Sequence, residues 1–200
     1  MTLRSLVIES GEQLLFSRTV ASTVYPEGHF LLAAVPLTAY TVARWRRFPS
    51  GPMVLLLLVA TQLPDVIDKP LAWTFSVLPS GRMLAHSLVV CLPVLSVLVL
   101  LATRRGYGRY AVVFSAAYLS HIAGDFYPIL RLGTDYYFFP NLFWPLLPAN
   151  PDRVASFAAH APDSLSSLLV PLVVFGLAAS YSVIAMYRRR DRHLSEVPHQ

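Results

Sequence analysis

Residues 83–125 read MLAHSLVVCLPVLSVLVLLATRRGYGRYAVVFSAAYLSHIAGD, two apolar runs joined by a turn that carries Arg104, Arg105 and Arg109. The first run spans Met83 to Thr103 and the second Arg109 to about Leu130. As helices rising roughly 1.5 Å per residue, both are long enough to cross a hydrocarbon core of about 30 Å. Their few ionisable groups lie away from the arginine turn. His86 stands near the start of the first run, and His121 and Asp125 stand in the far half of the second. Titratable side chains at such depth are costly and mark sites rather than surfaces.

Three further segments share this character: about Phe30 to Arg44, Pro52 to about Pro64, and Leu165 to Tyr187. The first two are short, and fit half-spans or spans that extend into flanking residues. The expected fold is all-α, a polytopic membrane bundle of about five transmembrane or half-spanning helices over residues 1–187, with a basic polar tail at 188–200. Composition agrees, since 55% of the 200 residues are hydrophobic and 14% are charged, whereas a soluble domain carries about 25% charged residues. The net charge of +5 comes from arginines at segment ends. No basic stripe with interleaved aromatics runs along a face, so nucleic acid is not an expected partner. Cys91 is the single cysteine and lies within an apolar run, which excludes an intrachain disulfide. Residues 1–28 show no uninterrupted apolar core of the signal-peptide kind.

The arginines fall in alternate connections. Arg44, Arg46 and Arg47 lie between the first and second segments, Arg104, Arg105 and Arg109 between the third and fourth, and Arg188, Arg189 and Arg190 after the fifth. The positive-inside rule puts all three groups, and with them the C-terminus, in the cytoplasm of a plasma or inner membrane. The N-terminus and loops 64–82 and 131–164 then face outward. Those loops carry prolines and aromatics such as Tyr136, Tyr137, Phe143 and Trp144, which suit a headgroup boundary. On this topology His29, Asp65, Asp68, His86, His121 and Asp125 all come to the outward end.

His121-Ile122-Ala123-Gly124-Asp125 sets an imidazole and a carboxylate at i and i+4, neighbours on one helix face. Such a pair suits a metal, nitrogen and oxygen binding at about 2.0–2.2 Å, or else a histidine hydrogen-bonded to an aspartate within a bundle. Asp65 and Asp68, at i and i+3 after Pro64, repel unless a cation lies between them; Lys69 offers one neutralising partner. Arg82 stands four residues before His86, with a guanidinium shaped to grip a phosphate or carboxylate, or to contact lipid headgroups. His160 and Asp163 lie on the same side and are candidates to join the site, whereas His193 and His199 sit in the tail. The chain has no nucleophile elbow, P-loop, H-E-x-x-H or dinucleotide fingerprint.

Taken in order, Gly28-His29, Leu63-Pro64-Asp65-Val66-Ile67-Asp68-Lys69-Pro70, Gly81-Arg82 through His86-Ser87, His121 through Asp125, and Phe143-Trp144-Pro145 form a set. The set resembles the LexA-binding, inner-membrane-associated hydrolases, also described as membrane-bound metal-dependent hydrolases, over roughly residues 28–146. Two departures stand out. Gly81, Met83 and Ala85 replace the His, Gly and Thr of the family's His-Arg-Gly-x-Thr-His-Ser, and its Asp-x-Asp appears as Asp65-x-x-Asp68. The resemblance implies metal-dependent hydrolysis. A more distant similarity to zinc-dependent phospholipase C and the P1-type nucleases implies phosphoester bonds.

The expected function is thus a membrane-embedded metal-dependent hydrolase of a phosphoester in an amphiphile, with membrane lipid as its surroundings. The ligands expected for one or two divalent ions, zinc first and manganese or magnesium as alternatives, are His29, Asp65, Asp68, His86, His121 and Asp125. Arg82 and Asp65 are the candidate catalytic residues. The alternative is an ion-binding transport or scaffold protein without catalysis. A conducting path needs polar groups through to the inner side, but Val97–Leu101 and Val183–Met186 are wholly apolar.

Overall fold

The computed structural model describes residues 25–129, 133, 136–158 and 165–195, with backbone alone at 166–168 and 189–195. Among these residues there are five α-helices and no strand: α1 (Pro26–Trp45), α2 (Gly51–Lys69), α3 (Leu88–Arg104), α4 (Gly108–Asp125) and α5 (Leu165–Ser195). A π-helical turn, Pro70–Thr74, continues α2, and a 3-10 segment spans Tyr136–Phe143.

Helix α2 occupies the middle of the bundle and packs against α1, α4 and α5, while α3 lies at the edge against α4. Small residues allow the close approach. Ala60 of α2 and Ala117 of α4 are fully buried in a cluster with Phe30, Leu57 and Ala178. At Gly51 the approach is closer still, since a Cβ there would collide with the backbone carbonyl of Ser182 in α5. Tyr181 of α5 fastens the same corner by donating to the carbonyl of Pro49 at 2.7 Å. A second cluster under α3 and α4 joins Cys91, Leu95, Tyr118, Ile122, Phe126 and Leu142.

Among the described residues two helices are long and apolar enough to cross a membrane, Gly51–Thr74 and Leu169–Arg188, while the apolar α3 is shorter at Leu88–Arg104. Core helices of soluble proteins pass the same test, but those are mostly buried. Here only 33% and 11% of the two apolar windows is covered. Leu92, Val94, Val97, Leu100 and Leu101 of α3, and Leu172, Val173, Leu177 and Val183 of α5, stand exposed. Apolar surface this extensive needs lipid or a partner.

The helix boundaries differ from the sequence expectation in two informative places. Helix α2 does not stop at Pro64 but runs through it to Lys69. Proline removes one helical N–H, and that loss is tolerated where neighbouring groups take up the freed backbone. The carbonyl freed by Pro64 is that of Ala60, four residues back, and the Thr61 carbonyl next to it accepts from the His121 ring. Helix α3 begins at Leu88 instead of Met83, because the Ser87 side chain caps it by accepting from Val90 N at 3.4 Å. Residues 75–87 are consequently a loop. With the start of α1 and the ends of α2 and α4, this loop makes up one end of the bundle, while the arginine-bearing α1–α2 and α3–α4 turns make up the other.

Candidate metal centre

The loop is built around one carboxylate. Asp68, on the last turn of α2, is fully buried and accepts from the backbone N–H groups of Met83 (2.9 Å), Ala85 (2.8 Å) and His86 (3.2 Å). Converging amides of this kind hold an anion where water cannot. The same carboxylate meets His86 Nδ1 at 2.9 Å. A second aspartate pins the other side of the loop: Asp152 accepts from Trp73 Nε1, from Ser80 Oγ at 2.8 Å and from Gly81 N at 2.7 Å. Tyr118 of α4 donates to the Ala85 carbonyl at 2.6 Å, and Ser87 donates to the Trp144 carbonyl. The Asn141 side chain, in the 3-10 segment, clasps the Asn150 backbone, donating to its carbonyl at 3.1 Å and accepting from its N–H at 2.8 Å.

These supports fix the tautomers of two histidines. His86 Nδ1 faces Asp68, and His121 Nδ1 faces the Thr61 carbonyl at 2.6 Å. Both acceptors require an N–H at Nδ1, which in the neutral rings leaves the lone pair on each Nε2. Those two Nε2 atoms face each other at 3.2 Å. Asp65 Oδ1 lies 3.6 Å from His86 Nε2 and 3.7 Å from His121 Nε2. Asp125 Oδ2 lies 3.2 Å and 3.8 Å from the same two atoms. Four electron-pair donors thus converge, all within 4.8 Å of one another. A tetrahedral ion with bonds of about 2.0–2.2 Å sets its ligand atoms roughly 3.3–3.6 Å apart. The five edges that involve a histidine, at 3.2–3.8 Å, fall close to that range, so Asp65, His86, His121 and Asp125 could hold a metal ion. Asp65 Oδ1 is also buried without a hydrogen-bond partner, as a ligating oxygen would be.

Lys69 and Arg82 pair with Asp65 and Asp125 from outside the four donors, and the negative charge at the centre itself bears on His86. Burial alone would lower the His86 pKa, but hydrogen bonds to Asp125 and Asp68 and the charges of Asp125 and Asp65 outweigh it and push it up to about 9. A proton at His86 relieves the repulsion, and a divalent ion does the same with release of that proton.

The remaining residues singled out in the sequence surround these four. His29 Nε2 is 3.2 Å from Asp125 Oδ1, and its ring stacks on His121 with centroids 4.0 Å apart. Arg82 Nε donates to Asp125 Oδ2 at 3.0 Å, and its guanidinium lies over Phe138. Lys69 donates to Asp65 Oδ2 at 2.6 Å. All seven expected residues therefore lie together, four with ligating atoms at the centre and His29, Asp68 and Arg82 in hydrogen-bonding contact with them. His160 and Asp163 lie outside the described residues. Sequence reasoning missed Thr61, Tyr118, Asn141 and Asp152. Of these, only Asp152 carries a charge that could have drawn notice, and it sits in a Pro-rich loop without a pattern. The departure at Gly81 has a local counterpart, since a Cβ there would press at 3.2 Å on Lys69 Cγ and the Trp73 ring.

A family model described as YdjM inner membrane protein matches residues 25–193. No curated protein and no solved structure matches the chain.

Proposed function

This chain belongs to the YdjM inner membrane protein family, and from that premise we propose that it is a multi-pass, metal-dependent hydrolase. The proposed bond is a phosphoester in an amphiphilic, phospholipid-like substrate. The observation that carries this reading is the pair of histidine Nε2 lone pairs aimed at each other at 3.2 Å between two carboxylates. Asp65, His86, His121 and Asp125 would hold a divalent ion, zinc by the nitrogen and oxygen donor set, with manganese or magnesium as alternatives. When bound, such an ion supplies Lewis acidity that polarises a phosphoryl oxygen and acidifies water.

The chain's own groups have distinct tasks in this scheme. Asp68 and the Thr61 carbonyl hold the two imidazoles in the ligating tautomer, and His29 and Arg82 orient Asp125. Arg82 also presents its terminal N–H groups to a substrate oxyanion. Asp65 is the most exposed of the four ligands at 14%, against 0%, 0% and 3% for the others. Its side is therefore the approach for substrate. Alternate arginine clusters and the exposed apolar helices support a bundle of five spanning or half-spanning helices, with the site outward and the C-terminus cytoplasmic. A cysteine replacing the exposed Val77 should react with an impermeant thiol reagent in intact cells, while one at Gly106 should not. The opposite labelling would put the site in the cytoplasm.

One specific observation favours the scaffold alternative: four protein ligands close a shell, as in structural zinc sites, whereas catalytic sites keep a position open. Metal analysis and assays on phospholipid vesicles and a generic phosphodiester separate the two. The hydrolase reading expects about one ion per chain, lost together with activity in His121→Ala and Asp125→Ala, and retained with slower turnover in Arg82→Ala. Full occupancy without hydrolysis of either substrate would leave a structural ion. Retention of metal after both ligands are removed would overturn the centre itself.

A further inference from the structure

Exposure divides the residues around the centre into two groups. His29, Asp68, His86, His121 and Asp125 have side chains 0–3% exposed. Asp65, Arg82 and Lys69 rise to 14%, 21% and 26%. The centre is least covered on the side of the second group, and Lys69 and Arg82 stand at that exposed mouth. The two are neighbours across the loop: the Lys69 stem packs beneath Gly81, which precedes Arg82 in the chain. Each cation is attached to one carboxylate by a single nitrogen position, Lys69 Nζ to Asp65 and Arg82 Nε to Asp125. An ammonium has three N–H donors and a guanidinium five. The terminal amino groups of Arg82 have no hydrogen-bond partner among the described residues, and Lys69 has donors to spare. An aromatic face steadies each cation, Trp73 at 5.7 Å from Lys69 Nζ and Phe138 at 5.4 Å from Arg82 Cζ.

We propose that Lys69 and Arg82 form a two-pronged anion clamp at the mouth, and that its ligand is a phosphate-type oxyanion. The inference rests on the hydrolase reading above and adds Lys69 as a substrate-binding residue. Charge favours it. Asp65, Asp68 and Asp125 contribute three negative charges, and Lys69, Arg82 and a divalent ion contribute four positive ones. Asp152 adds a negative charge behind the loop, but Trp73, Ser80 and Gly81 already direct three donors at it. The oxyanion would accept hydrogen bonds from Lys69 Nζ and Arg82 Nη without displacing either from its carboxylate. Charge-assisted bonds of this kind are the strong ones, and a tetrahedral oxyanion has oxygens enough for both prongs.

The test uses the full chain in a phosphate-free maltoside detergent, with zinc content measured on every sample. Inorganic phosphate is the probe, followed by calorimetry on wild type, Lys69→Gln and Lys69→Arg. The expected result is zinc retained in all three and phosphate binding weakened roughly ten- to a hundredfold in Lys69→Gln, with most of it restored in Lys69→Arg. If Lys69 merely neutralises Asp65, Lys69→Gln will bind phosphate as wild type does while zinc affinity changes, and the clamp is overturned. Absence of zinc from wild type would instead be a failure of the metal centre, separately visible. A second arm repeats the titration in phosphatidylcholine nanodiscs with and without phosphatidic acid. Competition by phosphatidic acid, again dependent on Lys69, assigns the clamp to a lipid headgroup. Lys69-dependent phosphate binding without competition assigns it to a soluble phosphate.

Discussion

At the arginine-bearing end of the bundle the connections are turns of a few residues closed mainly by the backbone, with Tyr181 adding one bond to the Pro49 carbonyl. Arg46 takes the left-handed conformation at φ 54 and its N–H returns to the Val42 carbonyl at 2.9 Å. Gly106 does likewise at φ 80, with Tyr107 N reaching the Ala102 carbonyl at 2.8 Å. At the opposite end the connections are held by side chains, three of them fully buried and Asp152 half-buried: Asp68 under residues 83–86, Asp152 under 80–81, Ser87 on Trp144, and Asn141 on Asn150. A turn that only reverses the chain needs no such investment, because its polar groups can satisfy each other locally. Carboxylates used as loop anchors are expensive to desolvate, and Asp68, fully buried, and Asp152, half-buried, stand where the positions of His86 and Arg82 depend on them. The difference sets the buried polar network, and with it the candidate centre, at one end.

The largest expected effect that would break this contrast is at Asp68. In Asp68→Asn an amide replaces an oxygen that receives backbone N–H groups, so donors face donors inside a dry site, and His86 loses the carboxylate that orients it. Stability should fall by about 2–3 kcal/mol, and metal affinity by roughly ten- to a hundredfold, the usual consequence of removing a carboxylate behind a ligating histidine. Thermal unfolding and metal retention against chelators of graded strength measure the two. A loss no larger than that of Arg104→Ala at the other end would remove the distinction between the ends.

Much of this end was legible in the sequence, for a physical reason. Ionisable residues are so disfavoured among apolar segments that His29, Asp65, Asp68, His86, His121 and Asp125 stood out, and alternation of helix direction sent all of them one way. What could not be read was their division of labour. Whether Asp68 ligates or orients depends on the backbone N–H groups of a loop fifteen or more residues away, and amides leave no mark in a sequence. Thr61 takes part through its carbonyl, which every residue possesses. Helix α2 passing Pro64 was hidden similarly, since proline ends a helix by default. The start of α3 was misplaced because Met83, Leu84 and Ala85 are as apolar as the helix that follows, and only the capping by Ser87 separates them.

The smallest effects come from adding one methyl group at each end, and they sharpen the contrast most directly. In Gly124→Ala the new Cβ would stand 2.9 Å from His29 Nδ1 and 3.0 Å from Leu32 Cδ1, so the His29 ring must move. Alanine gains about 1 kcal/mol of helix propensity over glycine, which offsets part of an overpacking penalty of about 1–3 kcal/mol. The net change in stability should therefore be small. The metal should report more than the fold does, because the displaced ring is the one 3.2 Å from Asp125 Oδ1, and affinity should drop severalfold. In Gly106→Ala the methyl meets nothing within 4 Å, and only the positive φ of 80 is strained, at about 1–2 kcal/mol. Metal affinity there should stay at the wild-type value. Equal metal loss in the two variants would show that the turn and the centre are coupled through the bundle, whereas loss in Gly124→Ala alone would confine the coupling to the His29–Asp125 contact.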